Sequence, residues 1–234
     1  MMKTFKVLSA LIGYPTPELQ SAGSELRGVL VGEAIVGAPD RRGLEALIDE
    51  LTAGDIYDLQ ERYLLLFDRT RSLSLHLFEH VHGESRDRGQ AMIDLKALYE
   101  GSGLEISATE LPDYLPMFLE YLSTRPLDDA TELLGQTVHI LEAVGDRLER
   151  RGSAYAAVFR ALLSLAPPAD AEAVAGLVDE DEQPDDLAAL DAAWEDQPVS
   201  FGPEAADGCR DGLIARLRAA KRPASPIPGE GNHA

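Results

Sequence analysis

Several residue types that build common functional sites are scarce in this chain of 234 residues. Cysteine occurs once, at Cys209, which excludes an internal disulfide framework and a cysteine-rich metal site. No apolar run approaches the roughly 18 residues that a membrane-spanning helix needs. Basic residues number 21 against 41 acidic ones, and the net charge of −20 argues against nucleic acid and anionic membranes as partners. We therefore expect a cytoplasmic protein whose partners are basic or apolar.

Apolar residues recur at three- and four-residue steps along most of the first 167 residues, whereas the alternation typical of strands is hard to find. Asp55 and Asp113 are predicted N-caps of two helices. The clearest pattern predicts a single helix that is capped by Asp128 and runs to about Arg150. These features predict an all-α, single-domain bundle of roughly seven or more helices over residues 1–167.

The composition changes after Pro167. Residues 170–207 contain thirteen acidic residues and no lysine or arginine. Low apolar content and uncompensated charge disfavour folding, so we predict an acidic, partly disordered C-terminal linker or tail over residues 168–206. For residues 207–234 the pattern predicts one short helix around Leu213 and Leu217, followed by a disordered end.

Residues 72–92 combine three of the five histidines with two arginines and three acids. An ordinary core helix does not need that mixture, so the segment points to chemistry or recognition. The chemical interpretation uses His76, Glu79 and His80, which match the H-x-x-E-H pattern of inverted zinc peptidases. On a helix the two histidines would share one side, and Glu142 or Glu149 would supply the third ligand.

The recognition interpretation uses the same region as a groove for an amphipathic peptide, with an aromatic floor and a polar rim. The candidate peptide-contact residues are Tyr63, Phe67, Phe78, His80, His82, Glu84, Asp87 and Arg88. A purely structural alternative remains for each of them. The charges then pair across the turn and hold two helices in register, and Tyr63 or Phe67 belongs to the core stripe of its own helix.

Five blocks of the sequence resemble one known family. They are residues 63–68 (YLLLFD), 74–92 (SLHLFEHVHGESRDRGQAM), 110–116 (ELPDYLP), 118–122 (FLEYL) and 194–201 (WEDQPVSF). Together they resemble the NarJ-type chaperones of respiratory nitrate reductase, which are relatives of the TorD-like redox enzyme maturation proteins. The block 74–92 is long and irregular in composition, so its chance occurrence is far less credible than that of a five-residue zinc pattern.

The resemblance implies an all-helical cytoplasmic chaperone that is not an enzyme and has no catalytic or metal-binding residues. Such a protein binds the N-terminal leader-like peptide of the nitrate reductase α (catalytic) subunit. It keeps the apoenzyme competent for molybdenum cofactor insertion before membrane attachment, and it holds no cofactor stably itself. Nucleic acid binding and membrane insertion are not expected. Two alternatives stay open at this point: the zinc-dependent hydrolase, and a regulatory or scaffolding bundle without a redox client.

Overall fold

The computed structural model describes residues 2–80, 85–106 and 110–167, apart from the side chains of residues 85–87. Within these ranges the chain forms ten α-helices and no strand, which confirms the predicted all-α class. The helices are α1 (Lys3–Ile12), α2 (Pro17–Ser21), α3 (Gly23–Glu33), α4 (Ala38–Ala53), α5 (Ile56–Phe67), α6 (Ser85–Gly101), α7 (Leu115–Ser123), α8 (Leu127–Gly135), α9 (Val138–Arg150) and α10 (Ala156–Leu165). Two 3₁₀ turns, Arg71–Leu73 and Leu77–His80, lie between α5 and α6.

Helices α4 and α5 form where the apolar pattern predicts them. The α4 stripe of Leu44, Leu47, Ile48 and Leu51 is buried. Asp55 caps α5, because its carboxylate accepts hydrogen bonds from the N–H groups of the first turn at 2.9 and 3.4 Å. Local signals therefore suffice for α5, the helix that supplies the floor of the candidate site.

The bundle is organised around two packed helix groups. Helix α1 packs against α7 and α3, while α10 packs against α9 and α4. Two glycines permit close approach to α10: a Cβ at Gly145 would lie 3.1 Å from the Phe159 Cβ, and one at Gly43 would lie 3.1 Å from the Ala157 Cβ. Backbone contact at these positions brings the apolar stripes of α9 and α4 onto the same helix.

The predicted single helix from Asp128 to Arg150 is wrong, because α8 and α9 are separate. At the break the Thr137 N–H donates to the Leu134 carbonyl, and the Thr137 hydroxyl donates to the same oxygen at 2.8 Å. Both hydrogen bonds span three residues, so they interrupt the series of four-residue hydrogen bonds that defines an α-helix. The apolar residues of α8 and of α9 are both buried, so the apolar periodicity continues across the break. Periodicity alone therefore predicts one helix where the structure has two.

Two predicted caps also have other roles. Asp128 lies inside the first turn of α8, where Pro126 is the capping residue. Asp113 lies two residues before α7, which begins after Tyr114, and its side chain is fully buried. An acidic residue before an apolar run usually predicts an N-cap. The Asp113 carboxylate instead contacts the His76 ring and the Phe78 N–H.

The N-terminus of α1 is capped by a residue of α3. The Glu33 carboxylate accepts from the N–H groups of Lys3 and Thr4 and from the Thr4 hydroxyl, each at 2.8 Å. Burial alone would raise the pKa of Glu33, but the hydrogen bonds from Thr4 and Lys3 outweigh it and lower the pKa below the ordinary value of 4.5.

We expect Glu33→Ala to lower the free energy of unfolding by about 1 kcal/mol at pH 7, since three hydrogen bonds to a helix start are lost. A lowered carboxyl pKa stabilises the fold above the unfolded-state value, and this contribution disappears as pH falls through the folded-state pKa. The difference from wild type should therefore shrink as the pH is lowered. Urea unfolding at pH 7 and pH 3 measures it, with exposed Glu120→Ala as the matched control. A pH-independent difference would contradict this assignment.

Among the described residues, none of the helices has both the length and the apolarity needed to cross a bilayer. The predicted linker at 168–206 and the C-terminal segment at 207–234 lie outside the described residues. The domain division at residue 167 therefore stays a prediction.

Candidate functional site

A concave groove of about 550 Å³ lies between the C-terminal end of α5, the chain that follows it, and the segment before α7. Its lining consists of Tyr63, Leu64, Phe67, Asp68, Arg69, Thr70, Arg71, Ser74, Leu75, His76, Glu79, Glu110 and Tyr114. The lining comes from positions about 50 residues apart in sequence, so the groove exists only once α5 and the approach to α7 are packed together.

The floor of the groove is a cluster of aromatic rings. Tyr63 lies at its centre, with ring centroids 4.9 Å from Phe67, 5.5 Å from Tyr14 and 6.2 Å from Tyr155. All three contacts are edge-to-face or tilted, which aromatic quadrupoles favour. Tyr63 and Phe67 are buried, whereas Leu64 beside them is 41% exposed. The floor is therefore a closely packed aromatic cluster beside one accessible aliphatic side chain, Leu64.

Hydrogen bonds fix the central tyrosine. The Tyr63 hydroxyl donates to the Ile12 carbonyl at 3.1 Å and accepts from the Tyr114 hydroxyl, also at 3.1 Å. Burial, together with the neighbouring Tyr114, raises the pKa of Tyr63 far above its usual range, so the hydroxyl stays neutral. These bonds join the end of α1, α5 and the start of α7 at the floor.

One wall of the groove is built on a buried carboxylate. Asp113 is fully buried, its Oδ1 lies 3.1 Å from the His76 Nδ1, and its Oδ2 accepts from the Phe78 N–H at 3.1 Å. The backbone pairs here too, because Leu77 donates to the Asp113 carbonyl at 3.0 Å. The hydrogen bond to the Asp113 carboxylate raises the pKa of His76, although burial opposes it.

The rim carries charges of both signs. Three acids, Asp68, Glu79 and Glu110, line the groove together with Arg69 and Arg71. Arg88 of α6 approaches Glu79, with 3.8 Å between their charged atoms. An apolar floor with a charged rim is suited to an amphipathic ligand, because each face of the ligand meets a complementary surface.

The eight residues predicted to contact a peptide lie in different environments. Tyr63 and Phe67 line the groove, while Phe78 is half-buried against the core and outside the lining. The His80 ring is buried, and its Nε2 donates to the Ser74 carbonyl at 2.7 Å. Three others, His82, Glu84 and the side chain of Asp87, lie outside the described residues. Peptide contact stays a prediction for all of these and for Arg88.

The sequence-based site omitted several residues of the lining, notably Leu64, Glu110 and Tyr114. Leu64 lies on the outward face of α5, where the amphipathic pattern predicts a polar residue. An apolar side chain at such a position can mark a binding surface, so the sequence did contain a signal for Leu64. Glu110 and Tyr114 belong to the block ELPDYLP of the family resemblance. Nothing in their local sequence shows that they face α5.

The zinc-hydrolase interpretation is not supported. Leu77–His80 forms a 3₁₀ turn, in which residues four apart do not share a face, and His76 precedes it in an isolated antiparallel bridge with Tyr114. Burial lowers the pKa of His80, whose Nε2 is bonded to backbone. Glu149 pairs with Arg160 on the surface. The described part of the chain contains no group of three or more histidine, cysteine or acidic side chains that could hold a metal ion.

The fold and the groove define a class: an all-helical protein whose aromatic-floored groove is suited to binding a chain segment. A family model described as nitrate reductase delta subunit matches residues 37–161, more than half of the sequence. The chain belongs to the nitrate reductase delta subunit family. This membership confirms the resemblance to NarJ-type chaperones.

Curated relatives agree with the family match. The chain is 43% identical over 209 residues to the nitrate reductase molybdenum cofactor assembly chaperone NarJ of Escherichia coli strain K12, covering 89% of this chain and 88% of that protein. It is 41% identical over 212 residues to the probable assembly chaperone NarW of the same strain, covering 89% and 87%. A probable NarJ of Bacillus subtilis strain 168 is 28% identical over 161 residues, covering 69% and 86%. These relatives are named as assembly chaperones rather than catalysts, as the sequence predicts.

Proposed function

We propose that this protein is a cytoplasmic chaperone that assists molybdenum cofactor insertion into respiratory nitrate reductase. It binds the N-terminal leader-like peptide of the α subunit in the groove beside α5. In this role it keeps the apoenzyme open to the cofactor before membrane attachment. The observation that carries the proposal is the groove itself, where a buried aromatic floor and the accessible Leu64 lie inside a rim of five charged side chains.

The chemistry of such a peptide matches the groove. A leader with basic and apolar residues on opposite faces can place apolar side chains on Leu64 and the Tyr63 ring. Its cations then meet Asp68, Glu79 and Glu110 at the rim. The chaperone is required to bind but not to catalyse. Release follows when cofactor insertion lowers the affinity of the matured subunit for the groove.

Leu64→Glu tests the location of the peptide. We expect its affinity for a synthetic peptide of the α-subunit N-terminus to fall about tenfold or more, because a carboxylate in the floor must be desolvated. Isothermal titration calorimetry with the full chain measures the change. Ile93→Glu is the matched control, since Ile93 is 62% exposed on α6 and outside the groove lining.

The outcomes separate clearly. Equal losses in Leu64→Glu and Ile93→Glu would contradict the groove as the binding site. Failure of the wild-type chain to bind the peptide at all would overturn the proposed function. Circular dichroism of each variant checks that the helices are intact, which both exposed positions should allow.

A further inference from the structure

The outward face of α5 carries an exposed apolar strip that continues beyond the groove. Tyr57 is 77% exposed and Leu64 is 41% exposed. The two residues are seven positions apart, close to two full turns, so their side chains leave the helix in nearly the same direction about 10 Å apart. Leu64 lines the groove, whereas Tyr57 lies outside the lining. The strip therefore begins at the groove and runs towards the N-terminal end of α5.

A third exposed ring borders this strip. Tyr14, in the loop after α1, packs edge-on against Tyr63, with 5.5 Å between the ring centroids. The side-chain amide of Gln60 donates to the Pro15 carbonyl at 2.9 Å, which holds this loop against α5. Three of the six large apolar side chains that are exposed in the described part of the chain belong to this surface: Tyr14, Tyr57 and Leu64. Exposed apolar side chains gathered in this way mark an interaction surface.

Acidic side chains border the strip on its other side. Glu61 and Asp68 follow the two apolar residues of α5 by four positions each, so they form a second row parallel to the apolar one. Both are exposed, and neither forms an ion pair with another residue in the described ranges. The neighbouring Arg62 pairs with Glu50 of α4. The negative charge of the acidic row is therefore available to a partner.

The spacing of the strip selects a helix over an extended segment as its partner. Side chains on one face of an extended chain repeat every second residue, at about 7 and 13 Å, and neither distance matches the spacing of about 10 Å between Tyr57 and Leu64. In an α-helix, residues seven positions apart repeat the same distance on one face. A partner helix that lies along α5 therefore matches both rows at once.

We propose that the recognition surface extends out of the groove along α5 and holds a basic amphipathic helix of the bound peptide. Two apolar residues of that helix, seven positions apart, rest on Tyr57 and Leu64. Lysine or arginine residues along its neighbouring edge meet Glu61 and Asp68. The inference rests on the proposed function, because it defines the length and the residue pattern that the peptide of that site must have.

Tyr57→Glu in the full chain tests the apolar row. We expect the affinity for a synthetic peptide of the α-subunit N-terminus to fall about tenfold, because the new carboxylate must be desolvated against the apolar face of the helix. Tyr57→Phe keeps the ring and should bind within about twofold of wild type. Isothermal titration calorimetry measures both variants. Val31→Glu is the matched control, since Val31 is 59% exposed on α3.

Glu61→Lys tests the acidic row independently of the apolar one. We expect the affinity for the same peptide to fall about three- to tenfold at low salt, because a cation then faces the basic edge of the helix. The loss should shrink at high ionic strength, where exposed charges are screened. Glu132→Lys on α8 is the control, since Glu132 is also exposed and lies outside the groove lining.

Shortened peptides locate the contact. Two peptides are compared, each lacking about seven residues, or two turns, at one end. For one of them, the affinity should fall as it does in Tyr57→Glu, and Tyr57→Glu should cause no further loss. Leu64→Glu should still weaken binding of that shortened peptide, because the contact at the groove remains.

Each result bears on the inference. Wild-type affinity in Tyr57→Glu, together with a loss in Leu64→Glu, overturns it and leaves the proposed function intact. Absence of peptide binding by the wild-type chain overturns both. Additive losses with both shortened peptides assign Tyr57 an indirect effect and overturn the inference. Sedimentation velocity gives the last check, because self-association of the wild-type chain that disappears in Tyr57→Glu would make the strip an interface between two copies.

Discussion

Tyr63→Ala is expected to lower the free energy of unfolding by about 3–5 kcal/mol, the range for removing a buried aromatic ring. The ring contacts Tyr14, Phe67 and Tyr155, and its hydroxyl joins α1 to the start of α7. No neighbouring side chain in this cluster can collapse into the space without tilting another ring. Guanidinium unfolding monitored by circular dichroism measures the loss.

Tyr63→Phe is the matched control for this prediction. It keeps the ring and removes only the two hydrogen bonds, so we expect a loss of about 1–2 kcal/mol and an intact groove floor. At a temperature where both variants are folded, Tyr63→Phe should retain most of the peptide affinity, and Tyr63→Ala should not. A small stability loss in Tyr63→Ala would contradict the central position of this ring in the floor.

Asp113→Ala is expected to lower the free energy of unfolding by about 3 kcal/mol at pH 7. The substitution removes the carboxylate that accepts from the His76 ring and from the Phe78 N–H, so both donors lose their partner. The backbone hydrogen bond from Leu77 to the carbonyl at position 113 remains, so the loss comes from the side chain alone. Urea unfolding measures the effect, and thermal unfolding should show a matching decrease in Tm.

Asp129→Ala is the comparison for that experiment, because it removes an aspartate whose ion pair with Arg125 lies on the surface. Exposed pairs of this kind contribute at most about 1 kcal/mol. Equal effects of the two substitutions would show that the buried position of Asp113 adds nothing. The same outcome would weaken the argument that Asp113 holds His76 in place.

Parts of the candidate site were predictable from local signals. Tyr63 and Phe67 recur on one face of a helix that Asp55 caps, and both line the groove. His80 belongs to the same histidine-rich block, yet its ring is buried and bonded to backbone. Sequence spacing does not distinguish the two cases, because the 3₁₀ turn at Leu77–His80 changes which side chains point inward.

The role of Asp113 was not predictable in the same way. A carboxylate two residues before an apolar, proline-containing helix start is a common capping pattern. Its actual partner, His76, lies 37 positions away in the sequence. The default expectation failed because a long-range hydrogen bond replaced the local one.

Amino-acid order alone determined the all-α class, the burial of the α4 stripe and the membership in a chaperone family. Those properties depend on apolar periodicity, on helix caps and on sequence blocks that resemble one family, all of which can be read along the chain. Tertiary structure alone decided that α8 and α9 separate at Thr137, and that Leu64, His76 and Tyr114 line one groove. Such contacts form when packed helices bring residues together that are distant in the sequence. The spacing of residues along the chain does not show which helices pack against each other.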